Sequence, residues 1–369
     1  MKKIGLYLHI PFCRQKCSYC DFYSFSASEE QKDRYCDCLR SSILTSCKAL
    51  QQRKPRKADT LYIGGGTPSC LGAKRLEALV NTAKSAILTE DAQITVECNP
   101  LGTDEDFFKI LNDCGVNRIS MGLQSAVDGE RVILGRISDK NQAGRAVLAA
   151  QKAGFFNISL DIMLGIPNQD KESLSRTADF CLQLGVPHIS AYMLKLEEGT
   201  PLYRNAGKYS FPDEDMTADL YLQLCEALSS HGIMQYEISN FAKPGYESLH
   251  NLKYWRCEEY LGLGPSAHSF IDGKRFYYPR DLQYFLDGKP PVPDGNGGNF
   301  EEYAMLALRL SEGLSEERVM KRFGHKIPMS MREKARRFES GGFLISDSRG
   351  IRFTRKGFLV SNSLLAELL

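Results

Sequence analysis

The sequence predicts an α/β fold: a partial (β/α)6 TIM-like barrel followed by a small α+β, winged-helix-like domain. Three observations lead there. Short runs rich in Ile, Val, Leu and Tyr alternate with longer helix-like stretches, one strand roughly every thirty residues. Those runs show little polar–apolar alternation, as strands buried on both faces do. Beyond the Pro- and Gly-dense stretch 288–298, the pattern changes to helices, a hairpin around 347–350 and a last helix. Right-handed crossovers curl six βα units into an open barrel, with chemistry gathered at the C-terminal strand ends.

Taken in order, strands are expected at 4–10, 59–64, 93–97, 117–121, 157–163 and 187–193. Helices are expected at 28–53, 72–88, 103–114, 139–153, 170–184 and 213–231. Thr103 and Asp139 are N-cap candidates, and Gly115, Gly154, Gly185 and Gly232 are candidate helix stops. Residues 235–241 read as a last strand, 250–255 as a polar aromatic stretch and 261–268 as a Gly-rich turn. The expected units are 1–232 (barrel core), 233–298 (barrel-closing segment and linker) and 299–369 (C-terminal domain).

With 369 residues, 43% hydrophobic and 25% charged, the chain can bury a sizeable core. Its net charge of +2 names no partner. No apolar run approaches the ~20 residues of a membrane span, and the start Met-Lys-Lys lacks a signal peptide's apolar region. A cytoplasmic location is expected. Nine of the 12 cysteines are irregularly spaced and read as small buried thiols, with Cys98 set apart by its neighbour Glu97.

The other three stand in Cys13-Arg-Gln-Lys-Cys17-Ser-Tyr-Cys20, just after the first strand. Iron–sulfur clusters are normally held by four thiolates. Three can hold three irons of a [4Fe–4S] cubane, and Asp21 and Phe22 supply no fourth ligand. One iron is then left open for something other than protein. Zinc would call for a second Cys-x-x-Cys pair or histidine partners, which the spacing does not provide.

This stretch, with its approach Tyr7-Leu-His9-Ile-Pro11-Phe12, resembles the CxxxCxxC signature of the radical S-adenosylmethionine (SAM) family. Within it, the chain is similar to the branch holding oxygen-independent coproporphyrinogen III dehydrogenase and the HemW-type haem chaperones. The resemblance runs from Tyr7 to about 270 and more loosely to the C-terminus. It implies SAM bound at the open iron, contacted by Tyr7, Tyr19, Gly65, Gly66, Thr67, Glu97, Gln124, Arg136 and Asp161. It also implies an electron donor such as a flavodoxin or ferredoxin. The residues suit these roles. Gly64-Gly65-Gly66 lacks a dinucleotide or phosphate-loop pattern but lets backbone approach a ligand closely, although an ordinary tight turn would look the same. Glu97 can receive an amino group, Arg136 can pair with a carboxylate, and Asp161 can take a ribose hydroxyl. Met193 is a looser match.

Two features separate the branches. The dehydrogenase carries a further cysteine where Phe22 stands here. Conversely, His250-Asn-Leu-Lys-Tyr-Trp255 resembles the HNxxYW motif of the haem chaperones. Ser138 stands where that group tends to have histidine. Neutral imidazole is a common axial ligand for haem iron, so His250 is the candidate haem ligand. Tyr254 and Trp255 could stack on the macrocycle, or the motif could simply fill the barrel mouth. His9 and His268 are expected to be structural. The expected function is a haem chaperone that binds cluster, SAM and haem and passes haem to acceptor proteins. The alternative is an enzyme decarboxylating coproporphyrinogen III. Residues 314–356 hold 12 Lys and Arg against 5 Asp and Glu. That basic face suits propionates, an acidic partner or a membrane surface. Bases and aromatics are not interleaved there, so nucleic acid is not an expected partner.

Overall fold

The structure, a computed structural model, describes residues 2–369. β1 (Lys2–Ile10) is followed by α1 (Glu29–Arg53), β2 (Arg56–Gly65) by α2 (Ala73–Ala86) and β3 (Leu88–Cys98) by α3 (Glu105–Asp113). β4 (Arg118–Gln124) leads to the short α4 (Asp128–Ile133) and to α5 (Lys140–Lys152), and β5 (Ile158–Leu164) to α6 (Lys171–Gln183). β6 (His188–Met193) leads to the one-turn α7 (Pro201–Arg204) and to α8 (Glu214–Ser229). The six strands run parallel in the order β1 to β6.

The local chemistry explains these elements. Ile4, Leu6, Leu8 and Ile10 of β1 are fully buried, while Tyr7 and His9 on its other face reach the mouth. Capping boxes open α1 (Ser28 with Gln31), α5 (Asp139 with Gln142) and α6 (Asp170 with Ser173). Asp104, not Thr103, caps α3, accepting from the Phe107 N–H at 2.8 Å. The Thr103 hydroxyl turns back to the Asn99 carbonyl instead. The four glycines expected to stop helices, 115, 154, 185 and 232, all lie at positive φ.

The expected strand at 235–241 is a hairpin of β7 (Met234–Gln235) and β8 (Asn240–Ala242), with β8 antiparallel to β6. Glu237 breaks it, turning its buried carboxylate onto the Ser239 N–H and the Asn240 side chain. Residues around 250 form a helix, α9 (Leu249–Trp255). β9 (Tyr260–Leu263) then returns to pair parallel with β1. It is followed by the hairpin β10 (His268–Ile271) and β11 (Lys274–Tyr277), α10 (Leu282–Leu286) and β12 (Val292–Asn296). The supposed linker thus contributes β12, an edge strand on β11, where proline is tolerated. The twelve strands form one unclosed sheet with β12 and β7 at its edges.

The C-terminal part holds α11 (Phe300–Ala307), β13 (Leu314–Ser315), α12 (Glu316–Phe323), α13 (Met329–Glu339), β14 (Leu344–Asp347), β15 (Gly350–Phe353), α14 (Arg355–Leu359) and α15 (Ser361–Leu368). β15 lies between β13 and β14 in a small sheet, the wing that the sequence predicts. At the barrel floor Arg56, 1% exposed, donates to Glu259 (3.2 Å) and Asp272 (2.6 Å). The cysteine loop and the strand ends that carry Glu97 and Gln124 lie at the opposite, C-terminal end of the barrel strands. No helix among the described residues is long and apolar enough to cross a membrane.

Candidate functional site

The loop between β1 and α1 carries the three cysteines and is tied down along its length. At its base the Cys13 N–H donates to the Phe25 carbonyl (2.9 Å) and the Phe25 N–H to Pro11 (3.0 Å). The buried Phe12 ring meets Phe25 and Tyr35 edge-on, with centroids 5.6 and 5.2 Å apart. Midway, the Ser18 N–H and hydroxyl donate to Leu134 (3.1 Å) and Ile133 (2.8 Å), fastening the loop to the end of α4. The Cys20 N–H closes a turn on the Cys17 carbonyl at 3.3 Å. All three thiols are free, partly exposed and open on one cavity of about 440 Å³. Among the described residues no three His, Cys, Asp or Glu side chains converge as a single metal ion requires.

The glycine run lies against this loop. The Gly66 N–H donates to Ile10 (2.8 Å) and the Thr67 N–H to Phe12 (2.7 Å). A Cβ on Gly66 would stand 2.6 Å from the Phe12 carbonyl and 3.1 Å from Cys13 Sγ. Gly65 sits at φ +113°, where side chains are strained. Thr67 Oγ1 lies 3.3 Å from Cys13 Sγ. Only glycine lets the two loops touch and leaves bare backbone facing the thiols.

Two acids face them from neighbouring strands, and a cation from the loop between α4 and α5. Glu97, at the end of β3, accepts from the Tyr62 hydroxyl (2.8 Å) and the Gly65 N–H (3.2 Å). Burial pushes its pKa up to about 7. Asp161 in β5 accepts from the Ser120 hydroxyl (3.2 Å), and burial pushes it up to about 6. Arg136 donates to the Gly122 carbonyl and to Cys17 Sγ (3.6 Å). Gln124 closes β4 at φ +69°, beside an irregularity in the β4–β5 register. A non-glycine residue there is strained by roughly 1–3 kcal/mol, which marks a place the surroundings hold on purpose. Tyr19 also lines the cavity, its hydroxyl pKa raised by burial.

The cavity thus gathers Cys13, Cys17, Cys20, Tyr19, Gly65, Gly66, Thr67, Glu97, Gln124, Arg136 and Asp161. Tyr7 is not among them. It lines a second cavity of about 580 Å³ over β1, β10 and β11, its hydroxyl 3.0 Å from His9 Nδ1. Phe22, Gly65 and Glu97 line both cavities and form the wall between them.

His250 reaches neither cavity, and its expected role as haem ligand does not fit this geometry. It is 1% exposed, with Nδ1 2.8 Å from the Thr60 hydroxyl and Nε2 2.8 Å from the Tyr254 hydroxyl. Both ring nitrogens are taken, and burial lowers its pKa to about 3. Tyr254 is engaged with it, and Trp255 lies under the Arg309 guanidinium. His9 is structural as expected, bonded through both nitrogens to Tyr7 and Tyr23. His268, also expected to be structural, is exposed at the second cavity. Ser138 is buried and accepts from Arg131, and Met193 stands exposed at the end of β6. Seven of the nine remaining cysteines are buried, including Cys98, whose thiol pKa is raised by burial.

Sequence reasoning missed Tyr62, which holds Glu97, and Ser120, which holds Asp161. It also missed Tyr192, which is exposed at the cavity from the end of β6. Their signal was positional. Each lies on a barrel strand, at or near the end where the loops converge.

Residues 7–181 match the profile of the radical SAM superfamily, and residues 300–360 match that of the HemN C-terminal domain. The chain is 33% identical to the haem chaperone HemW of Mycobacterium tuberculosis over 379 aligned positions, covering 99% of this chain and 94% of that protein. It is 38% identical to the haem chaperone HemW of Escherichia coli over 293, covering 78% and 76%. Among solved structures, the radical SAM enzyme coproporphyrinogen III oxidase (HemN) of Escherichia coli superposes with a TM-score of 0.84. That match covers 100% of this chain and 90% of the other at 20% identity, a likeness of fold.

Proposed function

This chain belongs to the radical SAM superfamily and to its HemW-type branch, and from that premise we propose that it is a haem chaperone. The observation that carries the cofactor reading is one cavity onto which three free thiols, a bare glycine backbone and two half-buried acids open. That donor set fits a [4Fe–4S] cluster with one iron left to SAM. Cys13, Cys17 and Cys20 hold the cluster. Gly65, Gly66 and Thr67 would hold the methionine end of SAM, and Glu97 would receive its amino group. Arg136 and Gln124 would serve its carboxylate side, Asp161 its ribose, and Tyr19 would flank the site, with Tyr7 opening on the second cavity instead. When bound and reduced, the cluster supplies one electron toward the SAM sulfonium. The chain's own task is to orient the cofactor and exclude water.

The haem reading is supported by the likeness to haem chaperones and by Phe22, which stands in place of a fourth thiol and is 66% exposed. Haem is the cargo, haem-accepting proteins are its destination, a flavodoxin or ferredoxin is the electron donor, and the location is cytoplasmic. Part of the basic C-terminal charge is paired, as in Arg332–Glu316 and Arg352–Asp347. What remains suits contact with an anionic membrane surface. The test is anaerobic reconstitution of the cluster, ferric haem titration, and transfer of bound haem to an apo-haemoprotein. A parallel assay measures decarboxylation of coproporphyrinogen III. Haem uptake and transfer are expected; porphyrinogen turnover without haem uptake would overturn the proposal.

A further inference from the structure

We propose that the second cavity, over β1, β10 and β11, is the seat of the haem, with His268 as its iron ligand and Arg280 as a partner for a propionate. The inference rests on the haem-carrier reading above and gives it a place.

The chain has six histidines. His9, His188 and His250 are buried, each with both ring nitrogens hydrogen-bonded. His231 and His325 bond backbone carbonyls through Nδ1 and line neither mouth cavity. His268 lines the second cavity, and its ring makes no hydrogen bond among the described residues. It stands opposite Tyr277 in the β10–β11 hairpin, stacked on that ring at 5.3 Å with an interplanar angle of 19°. A cross-strand pair fixes the imidazole while leaving its nitrogens to a ligand. Partial burial lowers its pKa, which keeps the lone pair free near neutral pH.

Apart from the Glu97 carboxyl in the shared wall, the rest of the lining suits a flat, dianionic, largely apolar molecule. Phe22 offers an exposed ring and Tyr278 a buried one. Arg280 is more than half exposed and, among the described residues, pairs only with Asp21 at 3.8 Å, so the guanidinium can take a propionate. The volume, about 580 Å³, lies within the roughly 300–1,000 Å³ of small-molecule sites. The cavity is open, as a site that must release its cargo requires. Ser266, two residues before the ligand, sits at φ +69°, a strained turn that sets where β10 begins.

The test titrates the full chain, with its cluster reconstituted, against ferric haem and against iron-free protoporphyrin IX. Wild type, His268→Ala, His268→Gln and Arg280→Ala are compared by difference spectra. Both His268 variants should lose about tenfold or more in haem affinity and shift the Soret maximum, while iron-free porphyrin binds as in wild type. Free imidazole should restore the Soret maximum of His268→Ala. Arg280→Ala should weaken both ligands without moving the Soret band. Wild-type spectra and affinity in both His268 variants would overturn the assignment, as would an equal loss of iron-free porphyrin, which would mean packing rather than ligation. Failure of wild type to take up haem would instead bring down the carrier reading itself.

Discussion

Replacing His250 with Ala separates two accounts of the HNxxYW segment. In the structure its ring fills a polar slot among the Thr60 hydroxyl, the Tyr254 hydroxyl and the rings of Tyr7 and Tyr62. It lies so close to β1 that a Cβ on Gly5 would stand 2.9 Å from it. Removing it leaves a cavity and two unsatisfied hydroxyls, a cost of about 3 kcal/mol near neutral pH. The cost depends on acidity. Burial, and then the Lys253 charge, lowers its pKa from 6.5 to about 3. The unfolded chain therefore takes up a proton at this site below pH 6.5 that the folded chain refuses. Wild type loses this stabilisation as pH falls from 6.5 toward 3, at about 1.4 kcal/mol per unit, and the variant does not. At about pH 5 the difference should shrink by about 2 kcal/mol. Urea unfolding of both proteins at neutral and acid pH measures this, and haem titration on the same samples reads ligation. The expected variant is much less stable at pH 7, nearly as stable at pH 5, and unchanged in Soret position. A variant as stable as wild type that has lost the Soret shift would refute the reasoning and restore His250 as the ligand.

Cys17→Ala should abolish the visible absorbance of the reconstituted cluster, measured anaerobically; survival of that absorbance would sink the cluster assignment. Glu97→Gln should weaken SAM by about 10- to 100-fold in equilibrium dialysis, one charge-assisted hydrogen bond. The same change should stabilise the cofactor-free protein at alkaline pH. The Glu97 pKa, raised to about 7, means the folded state holds its proton longer, so wild type loses stability relative to the variant as pH rises from 4.5 through 7. Gly66→Ala should prevent cluster assembly, read as iron content, because its Cβ meets the Phe12 carbonyl and Cys13 Sγ.

The barrel was legible because its signals are local. Doubly buried strands read as apolar runs, and Asp139 and Gly154 announce a helix start and stop through side-chain and backbone chemistry that needs no partner. The thiols, glycine run and acids were legible for the same reason: each lies in the loop or strand end that the barrel brings together. What escaped was decided at a distance. Residues 292–296 look like a linker until β11 supplies hydrogen bonds. Glu237 reads as one position in a strand until its burial forces a turn. The two histidines changed places: His250, in the family motif, is walled in by β1 and β2, and His268, in a Gly-rich turn, is left facing a cavity by the β10–β11 hairpin. Neither environment is written in the neighbouring residues.

The wall formed by Phe22, Gly65 and Glu97 has a thermodynamic meaning. Its Glu97 carboxylate and Gly65 backbone face both cavities, so no occupant of one can reorder them without altering the other. With SAM in the first cavity and haem in the second, as proposed above, linkage requires symmetry: whatever factor SAM imposes on the affinity for haem, haem imposes on the affinity for SAM. If the sign is negative, loading of cofactor becomes a signal to let cargo go.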